Sequence, residues 1–486
     1  MEKDIKKEKK NTVAKSKKAM KNGSYSAILT LVVIAVIVVI NLIVGAMSAK
    51  HTMFDVSSQK LYTIGDETKS VLKNLDKDVQ IYYMTSNDDE DPTITMMLEN
   101  YMAESKHIKV EKKDPEVFPG FVSQYSDESL SVNSLIVVCG ERVKCLDYSS
   151  DIYVSTINST TYEATNTEYD GEGQVTSAIN YVTSDEDLKV YNITGHSEAE
   201  IDDDLMKQYD KLNITIEDLA LLTADAIPED AAAIIISSPT TDYSEDDVKK
   251  VEDYLNAGGD ALVIANYSDD KMERFTKMLA DYNIELLDGV IFEGDANHYI
   301  NQNPMYLVPT LSTTSTLTNS ISNGYVFFPI AQGMRQLDND DAITVESILT
   351  TTNEAYVKTN VQGMESYAME DGDIAGPFIV GATVYKTVKD GSYDDQMRMA
   401  VFTSASFAMG SADDMVSGSN FKLLDNSMSW LINISEDSTI ESKNIELDYL
   451  TVTSSKVLRW TVILVAVIPA LCLILGGGIW FLRRRK

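Results

Sequence analysis

The chain has 486 residues, 41 of them basic and 75 acidic, which gives a formal net charge of −34 at pH 7. So acidic a chain repels the phosphates of nucleic acids and the head groups of anionic lipids, and we therefore expect no nucleic-acid binding. The length is sufficient for two or three domains with ordinary hydrophobic cores.

The N-terminal residues combine a basic tail with a long apolar stretch. Residues 27–47 carry no charge and would form a helix of about 31 Å, enough to cross a bilayer. The lysine-rich residues 1–24 predict a cytoplasmic tail, and residues 25–48 a first transmembrane helix. A cleaved signal peptide is the alternative, because Ala46-Met47-Ser48 resembles a cleavage site. The apolar run exceeds the usual signal core of about 7–15 residues, which favours an uncleaved anchor.

A second apolar stretch lies near the other end of the chain. Residues 460–482 carry no charge and precede the basic residues 483–486, so we predict a second transmembrane helix over 457–482 and a cytoplasmic C-terminus. Residues 51–456, which hold 72 of the 75 acidic residues, would then lie outside the cell. This topology and the low cysteine content favour the cytoplasmic membrane of a bacterium.

The three cysteines are Cys139, Cys145 and Cys472. The first two lie within a predicted hairpin over 134–147, which has the two-residue loop Gly140-Glu141. In that register Cys139 lies opposite Arg142 and Cys145 opposite Ile136. The two sulfur atoms then point to opposite faces of the hairpin, so we predict no disulfide between them.

Residues 51–154 predict a small α/β domain. Its pattern is helix, strand, helix, strand and hairpin, at 66–75, 79–84, 94–105, 108–112 and 134–147. This order is typical of a thioredoxin-like domain. The redox cysteines of such a domain would follow the first strand, where the chain reads Thr85-Ser86-Asn87, so we expect a binding or spacing module without thiol chemistry.

Residues 155–170 are rich in Thr, Ser, Asn and Tyr and predict a surface linker, which continues into a helix at 174–183 within a connecting region over 155–185. From 186 to 450, strand and helix patterns alternate, which predicts a doubly wound, Rossmann-like α/β domain. They include a strand at 188–194 and a helix at 244–256, in which Ser244 and Asp247 fit the looser capping-box pattern. An irregular insertion of about 298–370 should decorate its sheet.

Nucleotide and metal motifs are missing from the sequence. There is no Walker A loop, and no G-x-G-x-x-G follows a strand, so we expect neither ATP hydrolysis by this chain nor a dinucleotide cofactor. The four histidines do not pair at metal-binding spacing, and the acidic clusters 88–91, 202–204 and 338–341 do not match a calcium loop. We therefore expect no metal and no catalytic residue.

One short turn remains as a candidate site. Gly195-His196-Ser197-Glu198 directly follows a predicted strand, at the edge where α/β sheets bind ligands. His196 could contact a ligand or partner with Glu198 orienting its ring, or the turn could simply cap the following helix. A second turn contains Ser237 and Ser238, but no G-x-S-x-G elbow is present, so we expect their hydroxyls to satisfy turn hydrogen bonds.

Several phrases together resemble one known family. LTLVVIAVIVVINLIV followed by FDVSSQKLYTIGDETKSVLKNLDKDVQIYY is similar to the opening of GldG-type proteins, which are auxiliary components of ABC transport systems. NSLIVVCGERVKCLDY, VYNITGHSEAEI and IIISSPTTDYSEDDVKKVEDYLNAGGDALVIAN continue the similarity. The resemblance implies a multi-span permease and a separately encoded cytoplasmic ATPase as partners. It also implies a non-catalytic α/β scaffold similar to that of intraflagellar transport proteins.

One position departs from the family pattern. The family turn commonly reads GHGE, whereas this chain has Ser197 at the third position, and serine restricts backbone angles that glycine allows. We therefore expect a less strained turn here. The most consistent function is a non-catalytic, membrane-anchored accessory subunit of an ABC-type transport system. A stand-alone receptor for an envelope ligand is one alternative, and an exported hydrolase or amidotransferase relative is another.

Overall fold

The computed structural model of the protein describes residues 31–39 and 59–434 apart from 87, 158–163, 186, 322–323, 365 and 390–392, together with 55, 57, 440, 442–445, 469, 470, 474 and 476. Within these residues the chain has a mixed α/β fold, as the sequence predicted. One four-stranded sheet, the small sheet, precedes a much longer sheet, the large sheet, and two shorter sheets accompany them.

Both predicted transmembrane stretches lie mostly outside the described residues. Of residues 25–48 only 31–39 are described, and these are helical with exposed side chains. Of residues 457–482 only 469, 470, 474 and 476 are described. None of the helices that the described residues form is both long and apolar enough to cross a bilayer.

The elements of the first part of the chain surround the small sheet. They are α1 Asp66–Asn74, β1 Val79–Met84, α2 Pro92–Glu104, β2 Ile108–Lys113, β3 Leu135–Cys139, β4 Arg142–Leu146, β5 Tyr153–Ile157, β6 Ala164–Tyr169 and α3 Gly171–Thr183. The small sheet has the order β2-β1-β3-β4, in which β1 and β2 are parallel and the other neighbours antiparallel.

The predicted hairpin register is confirmed. Cys139 lies opposite Arg142 and Cys145 opposite Ile136, and both cysteines are free thiols. The opposite orientation of successive residues along a strand keeps the two sulfur atoms apart.

Helix α3 packs on the small sheet, which the prediction of a connecting helix did not anticipate. It begins at Gly171, three residues before the predicted start. Its residues Val175, Ile179 and Val182 are buried in one core with Leu72 of α1 and Leu98 of α2. The apolar residues of α3 recur at helical spacing, so one face is buried against the sheet.

The prediction of a linker over residues 155–170 is wrong. These residues contain most of β5 and all of β6, which pair as an antiparallel hairpin. Thr-rich segments suit a pleated, exposed surface as well as a loop, so composition alone did not distinguish the two. A third strand, β21 Lys443–Asn444, comes from the far end of the chain and pairs with β6.

The large sheet begins with five parallel strands. Its first elements are β7 Leu188–Thr194, α4 Asp203–Lys211, β8 Ile214–Ala220, β9 Ala231–Ser237, α5 Glu245–Asn256, β10 Ala261–Ile264, α6 Glu273–Ala280 and β11 Ile284–Phe292. A strand from later in the chain, β20 Gln396–Phe402, joins them to give the parallel order β8-β7-β9-β10-β20. Strand β9, with the sequence AAAIIIS, is apolar almost throughout because helices cover both of its faces.

The remaining elements comprise further strands of the large sheet, a separate two-stranded pair and three α-helices. They are β12 Tyr306–Leu307, β13 Thr310–Leu311, α7 Thr316–Asn319, β14 Phe328–Pro329, β15 Gln332–Gln336, β16 Ile343–Thr350, β17 Tyr356–Lys358, β18 Ile374–Ala375, β19 Ile379–Thr387, α8 Gly410–Asp413 and α9 Ser419–Leu431. Strands β12 and β14 form the separate pair. From β20 the sheet continues through antiparallel β19 to β15, β11, β17 and β18. Strands of the predicted insertion 298–370 therefore extend the sheet itself.

Helices cover the two faces of the parallel strands and form two cores. On the first face, Leu205 of α4 and Leu424 of α9 pack with Ile235 of β9. On the second face, Val251 of α5 and Phe275 of α6 pack with the neighbouring buried residues of the same strands. Helix α5 starts where predicted, because the Ser244 hydroxyl accepts a hydrogen bond from the Asp247 N–H.

Two segments from opposite ends of residues 51–456 meet beside the small sheet. The ammonium of Lys443 donates to the carbonyl oxygens of Lys60 and Thr63, each at 3.1 Å, and to Glu172 Oε2 at 2.7 Å. Residues that follow the first apolar stretch and residues that precede the second are therefore neighbours in space.

Candidate functional site

The turn from Gly195 to Glu198 follows β7 at the carboxyl edge of the parallel strands. Gly195 has φ +120°, and a Cβ there would lie 3.1 Å from the Leu222 side chain. Ser197 has φ +56°. The expectation of a less strained turn is therefore wrong. Ser197 adopts the left-handed backbone conformation that glycine favours and that serine rarely takes.

His196 is held inside the protein by contacts on both sides of its ring. The side chain is buried, with Nδ1 3.3 Å from Glu198 Oε1 and Nε2 3.3 Å from Asp247 Oδ2. The ring stacks on Tyr243 with the centroids 4.0 Å apart. Glu198 also accepts from the His196 N–H at 2.7 Å, so it orients the histidine as predicted from the spacing. The histidine thereby joins the turn to helix α5.

Asp247 completes this buried cluster. Its carboxylate accepts hydrogen bonds from the Ser244 hydroxyl, from Lys250 and from His196. Burial alone would raise the pKa of Asp247, but these hydrogen bonds and the charge of Lys250 lower it below its usual value. Glu198, His196 and Asp247 therefore form a buried acid–histidine–acid network. The exposed residues of the turn are Gly195 and Ser197. A ligand contact by the turn stays a prediction.

The second turn, Ser237-Ser238, differs from its expected role. Ser238 is buried at 3% exposure and has φ +50°, a sparsely populated conformation for serine. Its hydroxyl has no hydrogen-bond partner among the residues that the structure describes, so the prediction that this hydroxyl satisfies the turn is wrong. Backbone hydrogen bonds hold the turn instead. The Ser238 N–H donates to the Ile264 carbonyl, and the Ala199 N–H donates to the Ser237 carbonyl.

A cavity of about 250 Å³ opens at this same edge, on the face that carries α4 and α9. We call it the edge cavity. Its lining residues are Ala199, Glu200, Ile201, Leu205, Tyr209, Ile235, Ser237, Leu262, Ile264, Ala405, Ala408 and Met409. Leu205, Tyr209 and the strand residues are buried, whereas Ala199, Glu200 and Met409 are exposed and mark the mouth.

No sequence pattern indicated this cavity. Leu205 and Tyr209 are one helical turn apart on α4, a spacing typical of ordinary core residues. Ala405 and Met409 come from a segment nearly 200 positions later in the chain, so their approach depends on the pairing of β20 with β10. Of the lining residues, only Ser237 was singled out from the sequence, with its hydroxyl expected to satisfy a turn hydrogen bond.

The acidic side chains of the described residues do not form a metal site. Across the described ranges, no group of three His, Cys, Asp or Glu side chains is placed to hold a metal ion. The predicted acidic clusters 88–91 and 202–204 instead supply helix caps. Asp91 accepts from the N–H groups of Thr93 and Ile94, and Asp202 from that of Asp204.

Comparisons with known proteins identify one partial family match. The family described as a domain of unknown function, DUF7088, matches residues 58–144, which contain α1, α2 and the first three strands of the small sheet. No curated protein matches the chain. The family match gives a recurring sequence unit without an activity.

Three solved structures are similar to about half of the chain. The N-terminal domain of mmIFT52 is 13% identical, with a TM-score of 0.37, and covers 51% of this chain and 98% of its own. A ThuA-like protein from Bacteroides uniformis is 11% identical, with a TM-score of 0.28 and coverages of 52% and 95%. A cytoplasmic protein from Salmonella typhimurium is 14% identical, with a TM-score of 0.31 and coverages of 50% and 98%. At these scores none of the three supports a conclusion about function.

Proposed function

We propose that the protein is a non-catalytic, membrane-anchored accessory subunit of an ABC-type transport system in a bacterial cytoplasmic membrane. In this proposal the two apolar stretches cross the membrane, both termini are cytoplasmic, and residues 51–456 form an acidic outer scaffold. The chain would dock on a permease through its two helices, while a separate ATPase supplies the energy. The resemblance to GldG-type proteins is the source of the named partners.

The contact of Lys443 with Lys60 and Thr63 is the observation that carries the proposal. It brings the beginning and the end of the outer region to one place. Two spans that leave the outer region side by side can form a helix pair and bind a single groove of a permease. Small residues allow such close approach, and Gly476-Gly477-Gly478 lie in the second stretch.

The proposed domain types are consistent with a scaffold. The order β2-β1-β3-β4 with α3 packed on it supports the proposal of a thioredoxin-like domain, here without a cysteine pair after β1. The parallel strands β8-β7-β9-β10-β20 with helices on both faces correspond to a doubly wound arrangement. His196 is satisfied by internal carboxylates, which favours a structural rather than a catalytic role for the turn.

A pull-down of the tagged full-length chain in mild detergent, followed by mass spectrometry, tests the proposal. We expect recovery of one multi-span permease and one cytoplasmic ATPase. The matched control replaces residues 460–482 with an unrelated apolar span of equal length and keeps Arg483-Arg484-Arg485-Lys486. This control should remain in the membrane but lose the permease.

Recovery of the chain alone, reproducibly and in several detergents, would overturn the accessory-subunit proposal. It would favour a stand-alone envelope receptor, the first alternative. Equal recovery of the permease by the control would contradict docking through the second span.

A further inference from the structure

The edge cavity lies where open α/β sheets bind their ligands. In the order β8-β7-β9, the chain runs from β7 to β8 on one side and then returns to β9 on the other. The connections therefore change direction between β7 and β9, which leaves a crevice at the carboxyl ends of these strands. The cavity is lined there by Ser237 at the end of β9, Ile264 at the end of β10, and residues 199–201 after β7.

Most residues that line the cavity are apolar, and one of them carries a buried hydroxyl without a hydrogen-bond partner among the described residues. Leu205, Ile235 and Leu262 are buried core residues that line it. Tyr209 lines it too, with 0% exposure, and its hydroxyl has no hydrogen-bond partner in the part of the chain that is described. Burial raises the pKa of Tyr209 well above its usual value, so the phenol is neutral and can donate. An acceptor brought by a ligand would satisfy this buried group.

The charges around the cavity select against anions. Glu200 lies at the mouth, and no lysine or arginine is found among the described lining residues. A carboxylate or phosphate inside the cavity would therefore meet negative charge without a cationic partner.

We propose that the edge cavity binds a small, mainly apolar, uncharged or cationic molecule whose carbonyl or ether oxygen accepts a hydrogen bond from Tyr209. An apolar cavity of about 150 Å³ accommodates benzene, so one of 250 Å³ takes a ligand of about ten non-hydrogen atoms. This site is separate from His196, whose ring packs with Tyr243 on the opposite face of the sheet. The inference does not rest on permease docking.

Saturation-transfer NMR on the full-length chain in lipid nanodiscs tests the site, with empty nanodiscs as the reference. The probes are acetophenone, which has a carbonyl acceptor, ethylbenzene, which has nearly the same shape without one, and benzoate, which is anionic. We expect acetophenone to bind best, ethylbenzene more weakly, and benzoate not at all.

Two pairs of variants distinguish binding in the edge cavity from general effects of a substitution on the protein. Tyr209→Phe should weaken acetophenone binding about fivefold to tenfold and leave ethylbenzene binding unchanged, because only the hydrogen bond is removed. Tyr282→Phe is the matched control, since Tyr282 is also a buried tyrosine with an unpartnered hydroxyl but lies in the core on the opposite face. Ala199→Phe should fill the mouth and abolish binding of both neutral probes, whereas the exposed Ala226→Phe should not.

Circular dichroism verifies that each variant is folded before its binding is measured. The proposal fails if acetophenone binding does not exceed that of empty nanodiscs, if benzoate binds more tightly than acetophenone, or if Tyr209→Phe and Tyr282→Phe behave alike. Because the probes are independent of any permease, failure here would leave the accessory-subunit proposal standing, and the reverse also holds.

Discussion

Lys443 and Glu172 are 271 residues apart in the chain, yet the ammonium of one lies 2.7 Å from the carboxylate of the other. Glu172 is buried, and its second oxygen accepts from the Gly65 N–H at 2.5 Å and from the Thr68 hydroxyl at 2.7 Å. One carboxylate thus holds the start of α1, the start of α3 and the strand β21 together.

Lys443→Met should destabilise the part of the protein that surrounds the small sheet. Removal of the ammonium leaves Glu172 buried without its cation, at an expected cost of about 2 kcal/mol in the free energy of unfolding. We expect the melting temperature to fall by several degrees. Circular dichroism of the full-length chain during heating measures this change. The control is Lys249→Met, since Lys249 pairs with Asp253 on the exposed side of α5 and such pairs contribute little. Equal melting of the two variants would refute this role.

His196→Ala should destabilise the large sheet without loss of binding partners. It removes the stacking on Tyr243 and leaves Glu198 and Asp247 buried with one donor fewer, at about 3 kcal/mol in total. His107→Ala is the control, because its ring contacts the exposed Asp78. Thermal unfolding measures the difference, and the pull-down should still recover the permease. A stable variant that loses a ligand or the permease would instead support the ligand-contact prediction for the turn.

Asp425→Asn should change how stability depends on pH. Burial raises the pKa of Asp425 from its usual 3.8 to about 7, against the lowering effect of Lys422 and Lys211. The folded protein therefore holds this proton more tightly than the unfolded chain. Its contribution to stability is complete below pH 4 and is lost as the pH rises through about 7.

We accordingly expect Asp425→Asn to exceed the wild type in stability at pH 8, by at most about 4 kcal/mol, and to lose more than half of this advantage on acidification to pH 5. Thermal melts of both proteins at pH 5, 6, 7 and 8 measure the change. The exposed Asp225→Asn should follow the wild type throughout. An advantage that stays constant with pH would contradict the assignment.

The two hairpin cysteines should react with iodoacetamide at different rates. Burial raises the pKa of the Cys145 thiol, so its thiolate is scarcer at neutral pH and we expect Cys145 to react several times more slowly than Cys139. The measurement is intact-mass analysis of alkylation over time in a Cys472→Ser background, with Cys139→Ser and Cys145→Ser assigning the two phases. If the mass before reduction were lower by two hydrogen atoms, the chain would contain a disulfide, which would contradict the hairpin geometry.

Local patterns were sufficient to predict the elements that form from neighbouring residues. Strands β1 and β7 have the predicted bounds, and α5 begins after its Ser244 cap. The hairpin register followed from the two-residue loop Gly140-Glu141. In each case the deciding contacts lie within a few residues, so the sequence carries them directly.

Features that depend on distant contacts were not predicted. Strand β21 has only two residues and is defined by its pairing with β6, more than 270 positions earlier. Neither α6 nor β11 was anticipated from the pattern between 267 and 297. The edge cavity requires β20 to pair with β10, and the partners of His196 include Asp247 on a later helix. Periodicity describes which face of an element is buried, but not which other element covers it.

The contact between Lys443 and Lys60 also has a mechanical consequence. A body tethered at two distant points is stretched when its tethers move apart, whereas a body tethered at one point can swing and rotate. If the two apolar stretches cross the membrane as proposed, both tethers would meet at the three-stranded sheet of β5, β6 and β21. Movements of a helix pair in the membrane would then turn the outer region as a unit and leave its cores intact.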